Sequence, residues 1–179
     1  MPKIVDREKQ KAEILAAAFP LFARKGYGVV GMRQCAKELG VSTGTLYHYF
    51  DSKEILFEQM FLRKSQVLVQ LLISSIPEDG SRDERIDALL GFMKANLREL
   101  QWMLAMAFDF RRAGSEASEL LNQSFLFFRM SLEQMLGITD VEIADQLLVL
   151  VFGVISRETL LRDSLVLEAY REELNRILP

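Results

Sequence analysis

Cysteine and histidine are nearly missing from this chain of 179 residues, which has one of each. A single cysteine excludes an internal disulfide. With only one histidine beside it, no His/Cys metal cluster can form within the chain. Long apolar runs are also lacking. The longest, Leu147 to Ile155, is far short of the roughly 20 residues that a membrane-spanning helix needs. The opening, Met1-Pro-Lys-Ile-Val-Asp-Arg-Glu-Lys, mixes charges and has no apolar h-region. No secretory signal is expected, and the cytoplasm is the expected location. No stretch alternates apolar and polar residues between turn signals, so strands are not expected. Catalytic signatures are absent too: there is no Gly-rich phosphate loop, no H-E-x-x-H and no nucleophile elbow. The paired carboxylates Glu172 and Glu173 read as a solvated helix face. Neither an enzyme nor a bound cofactor is expected.

What is present is helical spacing from end to end. Half the residues are hydrophobic and 26% are charged, a composition with ample core. The fold class is therefore all-α. Punctuation at 26–28, Gly40-Val41-Ser42, Asp51-Ser52, 77–81, Gly114-Ser115 and 137–140 sets the breaks. The spacing predicts helices over about 6–25, 32–39, 43–49, 53–75, 82–99, 101–113, 116–136, 140–162 and 165–177. Only four prolines occur, and Pro20 falls inside the first helix, where it removes a backbone donor and threatens a kink. The net charge of −3 hides an asymmetry. Residues 1–64 carry eleven Lys/Arg against seven Asp/Glu, and residues 65–179 carry eleven against eighteen. A basic head on an acidic body suits contact with a polyanion, although an excess of this size also arises by chance.

Two short helices around a tight turn, inside that basic head, form a helix-turn-helix pattern. The residues are Met32-Arg-Gln-Cys-Ala-Lys-Glu-Leu39, then Gly40-Val41, then Ser42-Thr-Gly-Thr-Leu-Tyr-His-Tyr-Phe50. Ala36 is small where the helices cross, Gly40 permits the positive φ of a tight exit, and Ser42 can cap the second helix. At about 100° per residue, Leu46 and Phe50 share an inward face. Thr43, Gly44, Tyr47 and His48 then lie outward with no carboxylate among them. Small residues at the start and hydrogen-bonding groups one turn on suit insertion into a major groove. Lys53, at the start of the next helix, adds a cation beside free backbone N–H groups, which makes a phosphate clamp.

The stretch Ile14 to Phe61, ILAAAFPLFARKGYGVVGMRQCAKELGVSTGTLYHYFDSKEILFEQMF, closely resembles the signature of the TetR family of transcriptional regulators. The matches are Phe22, Gly26-Tyr27, Met32-Arg33, Ala36, Gly40-Val41-Ser42, Gly44-Thr45-Leu46-Tyr47, Tyr49-Phe50, Lys53 and Leu56. The resemblance implies a DNA-binding head over 1–52 and a helical ligand-binding and dimerisation domain over 53–179. It implies that Arg33, Thr43, Gly44, Thr45, Tyr47, His48 and Lys53 meet double-stranded operator DNA, with Tyr47 and Lys53 mainly on phosphates. The sequence departs from the family at Val30 and Gly31, where Thr or Ser usually caps the second helix, and at Cys35, where an aliphatic is usual.

The body holds most of the aromatics and methionines. As core they need no ligand; as a pocket they would bind a hydrophobic small-molecule effector. Resemblance places the helix of Trp102, Met103 and Met106 beside a ligand, and Phe128 joins them as a candidate. Among the polar residues of these helices, Asn96, Asp109, Arg129, Arg157 and Glu158 are candidate anchors, with a solvated face or ion pair as the plainer role. The apolar helix at about 140–162 and the amphipathic one at 165–177 serve either a monomer's core or a homodimer's four-helix interface, and the resemblance favours the dimer. The expectation is a repressor that binds palindromic DNA and is released by a hydrophobic or amphipathic ligand. The alternative is a DNA-binding regulator or activator whose second domain only dimerises.

Overall fold

A computed structural model describes residues 2–77, 79–113, 118–161 and 167–178. The described residues form α1 (Pro2–Lys25), α2 (Met32–Glu38), α3 (Thr43–Tyr49), α4 (Lys53–Ser74), α5 (Arg82–Ala95), α6 (Leu97–Arg112), α7 (Ser118–Leu136), α8 (Val141–Leu161) and α9 (Leu167–Ile177). No strand occurs among them, and the fold is all-α. None of the helices is long and apolar enough to cross a membrane.

One boundary differs from the sequence expectation, and one kink risk can be judged. α1 runs through Pro20 without a break, because one lost backbone donor is tolerable when Ala18, Phe19, Leu21 and Phe22 on either side are buried. The break expected near residue 100 lies instead at Asn96, whose backbone N–H and side-chain Nδ2 both donate to the Phe92 carbonyl. An asparagine that bonds back to the last turn competes with helix continuation, so a new helix starts at Leu97.

The chain divides into two compact units. The first is Met1–Gln66 with Ala105–Leu121; the second is Val67–Leu104 with Asn122–Pro179. The second half of α6 thus belongs with the head. Its Phe110, fully buried, lies 4.7 Å from the Tyr27 ring and 4.3 Å from Phe57, centroid to centroid. Phe22 and Phe57, both fully buried, complete the cluster with an edge-to-face contact at 5.5 Å. Four aromatic rings in such contacts stabilise the unit beyond their simple area burial, by roughly 0.5–1.5 kcal/mol per pair.

In the second unit, α5 and α9 are bound together at both ends. The Ser81 hydroxyl and the Glu84 carboxylate form a reciprocal capping box at the start of α5. Arg82 donates to the carbonyls of Asn175 and Leu178 at 2.9 and 2.7 Å, closing the exposed C-terminal end of α9. Arg171 pairs with Asp87. The apolar side of α9 faces inward through Leu174 and Leu178, which are nearly fully buried.

Candidate nucleic-acid interface

α3 is fixed before any DNA is considered. Ser42 caps it, accepting from the Thr45 N–H at 2.9 Å and sharing a hydrogen bond with the Thr45 hydroxyl at 2.8 Å. Gly40 has φ +68°, a left-handed turn that costs glycine nothing, and the following Val41 N–H returns to the Ala36 carbonyl at 3.0 Å. Leu46 and Phe50 are fully buried and Ala36 nearly so, so α3 is locked against α2. Tyr49 then donates to the Gln10 side chain at 2.7 Å, holding α3 to α1.

The outward residues follow from that lock. Gly44, Tyr47 and His48 are exposed, Thr43 and Thr45 half-buried, and Arg33 stands exposed on α2. Tyr47 is 49% exposed, a large ring left in water on a face with no carboxylate. His48 packs its ring against Tyr49 at 5.3 Å. Thr45 differs from the expectation in one respect: its hydroxyl is already engaged by the cap. Lys53 is also engaged. Its ammonium lies 4.0 Å from the Tyr27 ring centroid and donates to the Tyr27 carbonyl at 3.1 Å. An ammonium has three donors, so this contact positions the group without using it up.

Tyr27 is the hub that linear reading missed. Its hydroxyl donates to Glu54 at 2.8 Å, and burial, reinforced by this hydrogen bond, pushes its pKa well above the ordinary phenol range. The bond in turn holds the Glu54 carboxyl below its usual value. Behind Tyr27, the Gly28 N–H donates to Asp109 at 3.2 Å, and the same carboxylate oxygen would sit 2.9 Å from a Cβ placed on Gly26. Asp109 therefore clamps the turn between α1 and α2. No local pattern links residues 28 and 109; only the α6 stripe Leu100, Met103, Met106 and Phe110 hints that the end of α6 is buried.

The two departures at the start of α2 have a structural reading. Val30 is fully buried as a core plug, and Gly31 is an N-cap with no side-chain hydrogen bond. Cys35 is fully buried, and burial pushes its thiol up to about 11. Of the candidate pocket residues, Met103 and Met106 are buried on the α6 stripe. Met106 falls in the first unit, whereas Trp102, Met103 and Phe128 fall in the second. Trp102 is half-buried with the Arg98 guanidinium stacked over it at 4.6 Å.

Comparison with known proteins bears on this head directly. Residues 14–60 match the family profile described as bacterial regulatory proteins, tetR family. Among curated relatives, the HTH-type transcriptional regulator BetI of Vibrio campbellii is 26% identical over 141 residues, covering 74% of this chain and 70% of BetI. Among solved structures, a TetR transcription regulator from Haloarcula marismortui superposes with a TM-score of 0.75 at 22% identity, covering 96% of this chain and 97% of that one. The head of the chain thus matches the tetR family profile. The fold is shared more widely: the multidrug binding protein EbrR, complexed with malachite green, gives a TM-score of 0.76 at 18% identity over 94% of this chain and 98% of its own. The matched stretch contains the helix-turn-helix of α2 and α3.

Proposed function

We propose that this protein is a ligand-responsive repressor of the TetR family. It binds palindromic operator DNA as a homodimer and is released by a hydrophobic or amphipathic small molecule taken up in the second unit. The DNA contacts are Arg33, Thr43, Gly44, Thr45, Tyr47, His48 and Lys53, with Trp102, Met103 and Phe128 of the second unit nearest the effector. One observation carries the coupling: α4 and α6 each belong to both units, with divisions after Gln66 and Leu104. A helix is stiff along its axis, so a shift of either helix where it meets an effector is delivered to the turn held by Asp109 and to the cap that holds Lys53. EbrR, a structural neighbour, binds malachite green, which supports a small-molecule effector here.

The test is a thermal-shift screen of lipophilic compounds, followed by operator binding with the best hit at saturation. A ligand at 100 times its Kd stabilises a protein by about 2.7 kcal/mol, and operator affinity should fall at least about tenfold. Unchanged operator affinity would replace this reading with a regulator whose C-terminal helices only dimerise. A small, highly charged metabolite as the best ligand would sink the apolar pocket.

A further inference from the structure

Glu158 is an acidic residue whose side chain is 0% exposed, on the inner side of α8. That side is otherwise apolar, carrying Ala144, Leu147, Val154 and Ile155. One carboxylate oxygen, Oε1, accepts from the Arg157 guanidinium at 2.7 Å, and the same nitrogen reaches the Tyr170 hydroxyl of α9 at 3.4 Å. The other oxygen, Oε2, has no hydrogen-bond partner among the described residues. The hydroxyl of Ser124, buried on α7, has none either. Arg129 Nε and Glu133 Oε1 are also buried without hydrogen bonds, but they face each other as an ion pair at 3.3 Å. The Phe125–Phe152 ring contact at 4.8 Å and the Arg129–Asp145 bond at 3.4 Å fix α7 and α8 as antiparallel. Ser124, in the first half of α7, and Glu158, in the last turn of α8, therefore lie toward the same end of the pair.

We infer that these two orphaned acceptors are the polar end of the effector site, and that the effector is a protonated amine on an apolar body. This rests on the small-molecule reading above and names the chemistry of the ligand. Three features select an amine. First, cost: a buried carboxylate oxygen without a donor destabilises the fold, and folded proteins leave few such atoms. A ligand that donates to Oε2 removes that cost, so the site favours donors. Second, the ion pair does not account for Glu158. The Arg157 side chain is 44% exposed, so water can hold its charge, and an apolar residue at 158 would continue the inner side of α8 without a buried ion. Third, chemistry: a carboxylate oxygen accepts only, and the Ser124 hydroxyl can accept as well. An ammonium brings up to three donors and a positive charge, a neutral alcohol brings one donor, and an anion is repelled. Phe128 follows Ser124 by one turn on α7 and is half-buried, so the apolar body of the ligand has a ring to lie against. Of the five polar candidates read from the sequence, Asn96 is bonded to Phe92, Asp109 to Gly28 and Arg129 to acidic partners, while Arg157 is exposed. Glu158 is the one among them that keeps a buried oxygen free.

The experiment is titration calorimetry of the full chain near neutral pH with octylamine and 4-butylbenzylamine. Each amine is compared with the alcohol and the carboxylate of the same carbon skeleton. At least one amine should bind about tenfold or more tighter than its alcohol, since a hydrogen bond to a charged group is stronger than one to a neutral group. Its carboxylate should bind more weakly than the alcohol. Glu158→Gln should bring amine and alcohol within about twofold of each other, whereas Glu133→Gln should keep the preference. Melting of the chain without ligand supplies a second readout. Glu158→Leu should melt no lower than the wild type, because the carboxylate is held for the ligand and not for the fold. A preference that survives Glu158→Gln, or is lost equally in Glu133→Gln, overturns the inference. A marked fall in the melting temperature of Glu158→Leu overturns it too, by assigning the carboxylate to the fold through Arg157. Alcohols that bind as tightly as their amines overturn the inference but leave the small-molecule reading standing. If no head group on either skeleton binds, and the lipophilic screen yields no ligand, both fall together.

Discussion

Phe110 carries more of the head than its position in the chain suggests. It is fully buried and touches rings from both α4 and the turn before α2. Phe110→Ala leaves a cavity there and should cost about 3–5 kcal/mol, lowering the melting temperature by roughly 6–20 °C in calorimetry. A milder change would mean that the head tolerates the loss of this anchor. Cys35 and Glu54 predict opposite pH limbs. The Cys35 pKa is raised to about 11 by burial, so the neutral thiol's contribution is complete below the unfolded value of about 8.5 and is lost as pH rises toward 11. At pH 8 the thiol should react with maleimide no faster than the protein opens. The Glu54 pKa is lowered chiefly by the Tyr27 hydroxyl, so its contribution is present above about pH 4.3 and is lost as pH falls further. Glu54→Gln should flatten the acid limb of a stability-versus-pH curve; an unchanged limb would show that the bond does not couple to folding.

At the scale of elements, the proposed DNA contacts lie on α3 and the start of α4. Tyr47→Ala should weaken binding on all sequences alike, because a phenol on a phosphate carries no base information. Lys53→Ala should do the same and lower the slope of log affinity against log salt by about one. Thr43 and Arg33 substitutions should instead shift sequence preference in a binding-site selection. Normal binding by Lys53→Ala throughout a salt series would remove the clamp, leaving Lys53 as the tie between α4 and Tyr27. Ser42→Ala separates stability from contact: it removes the cap and should cost about 1 kcal/mol, weakening DNA binding only in proportion to the loss of α3.

For the whole molecule, the decisive quantity is how strongly the two units are coupled through the helices they share. Moving a population from mostly competent to mostly incompetent takes about 5.5 kcal/mol of differential affinity. Asp109→Ala removes the only side-chain bond described to the Gly28 N–H. It should leave effector affinity within about twofold while reducing the effector's influence on operator binding, measured as the ratio of operator Kd with and without ligand. An unaltered ratio would assign the coupling to α4 alone.

The helices, the turn at Gly40, the cap at Ser42 and the outward face of α3 were all legible in the sequence. Each depends on residues within one or two turns of one another: a left-handed glycine, a hydroxyl three residues from an N–H, a repeat near 100°. That same locality carries the resemblance to the TetR family from Phe22 to Leu56. What the sequence left open lies between segments far apart in the chain. Asp109 reads alone as a polar residue on an apolar helix, and only the packing of Phe110 onto Tyr27 and Phe57 brings its carboxylate to Gly28, 81 positions away. Likewise, the amphipathic pattern of 165–177 shows that α9 must bury one side but not against what. Tertiary structure packed α9 against both α5 and α8. Periodicity encodes which face of a helix avoids water; which neighbour covers it is decided by the competition among all the apolar faces in the molecule.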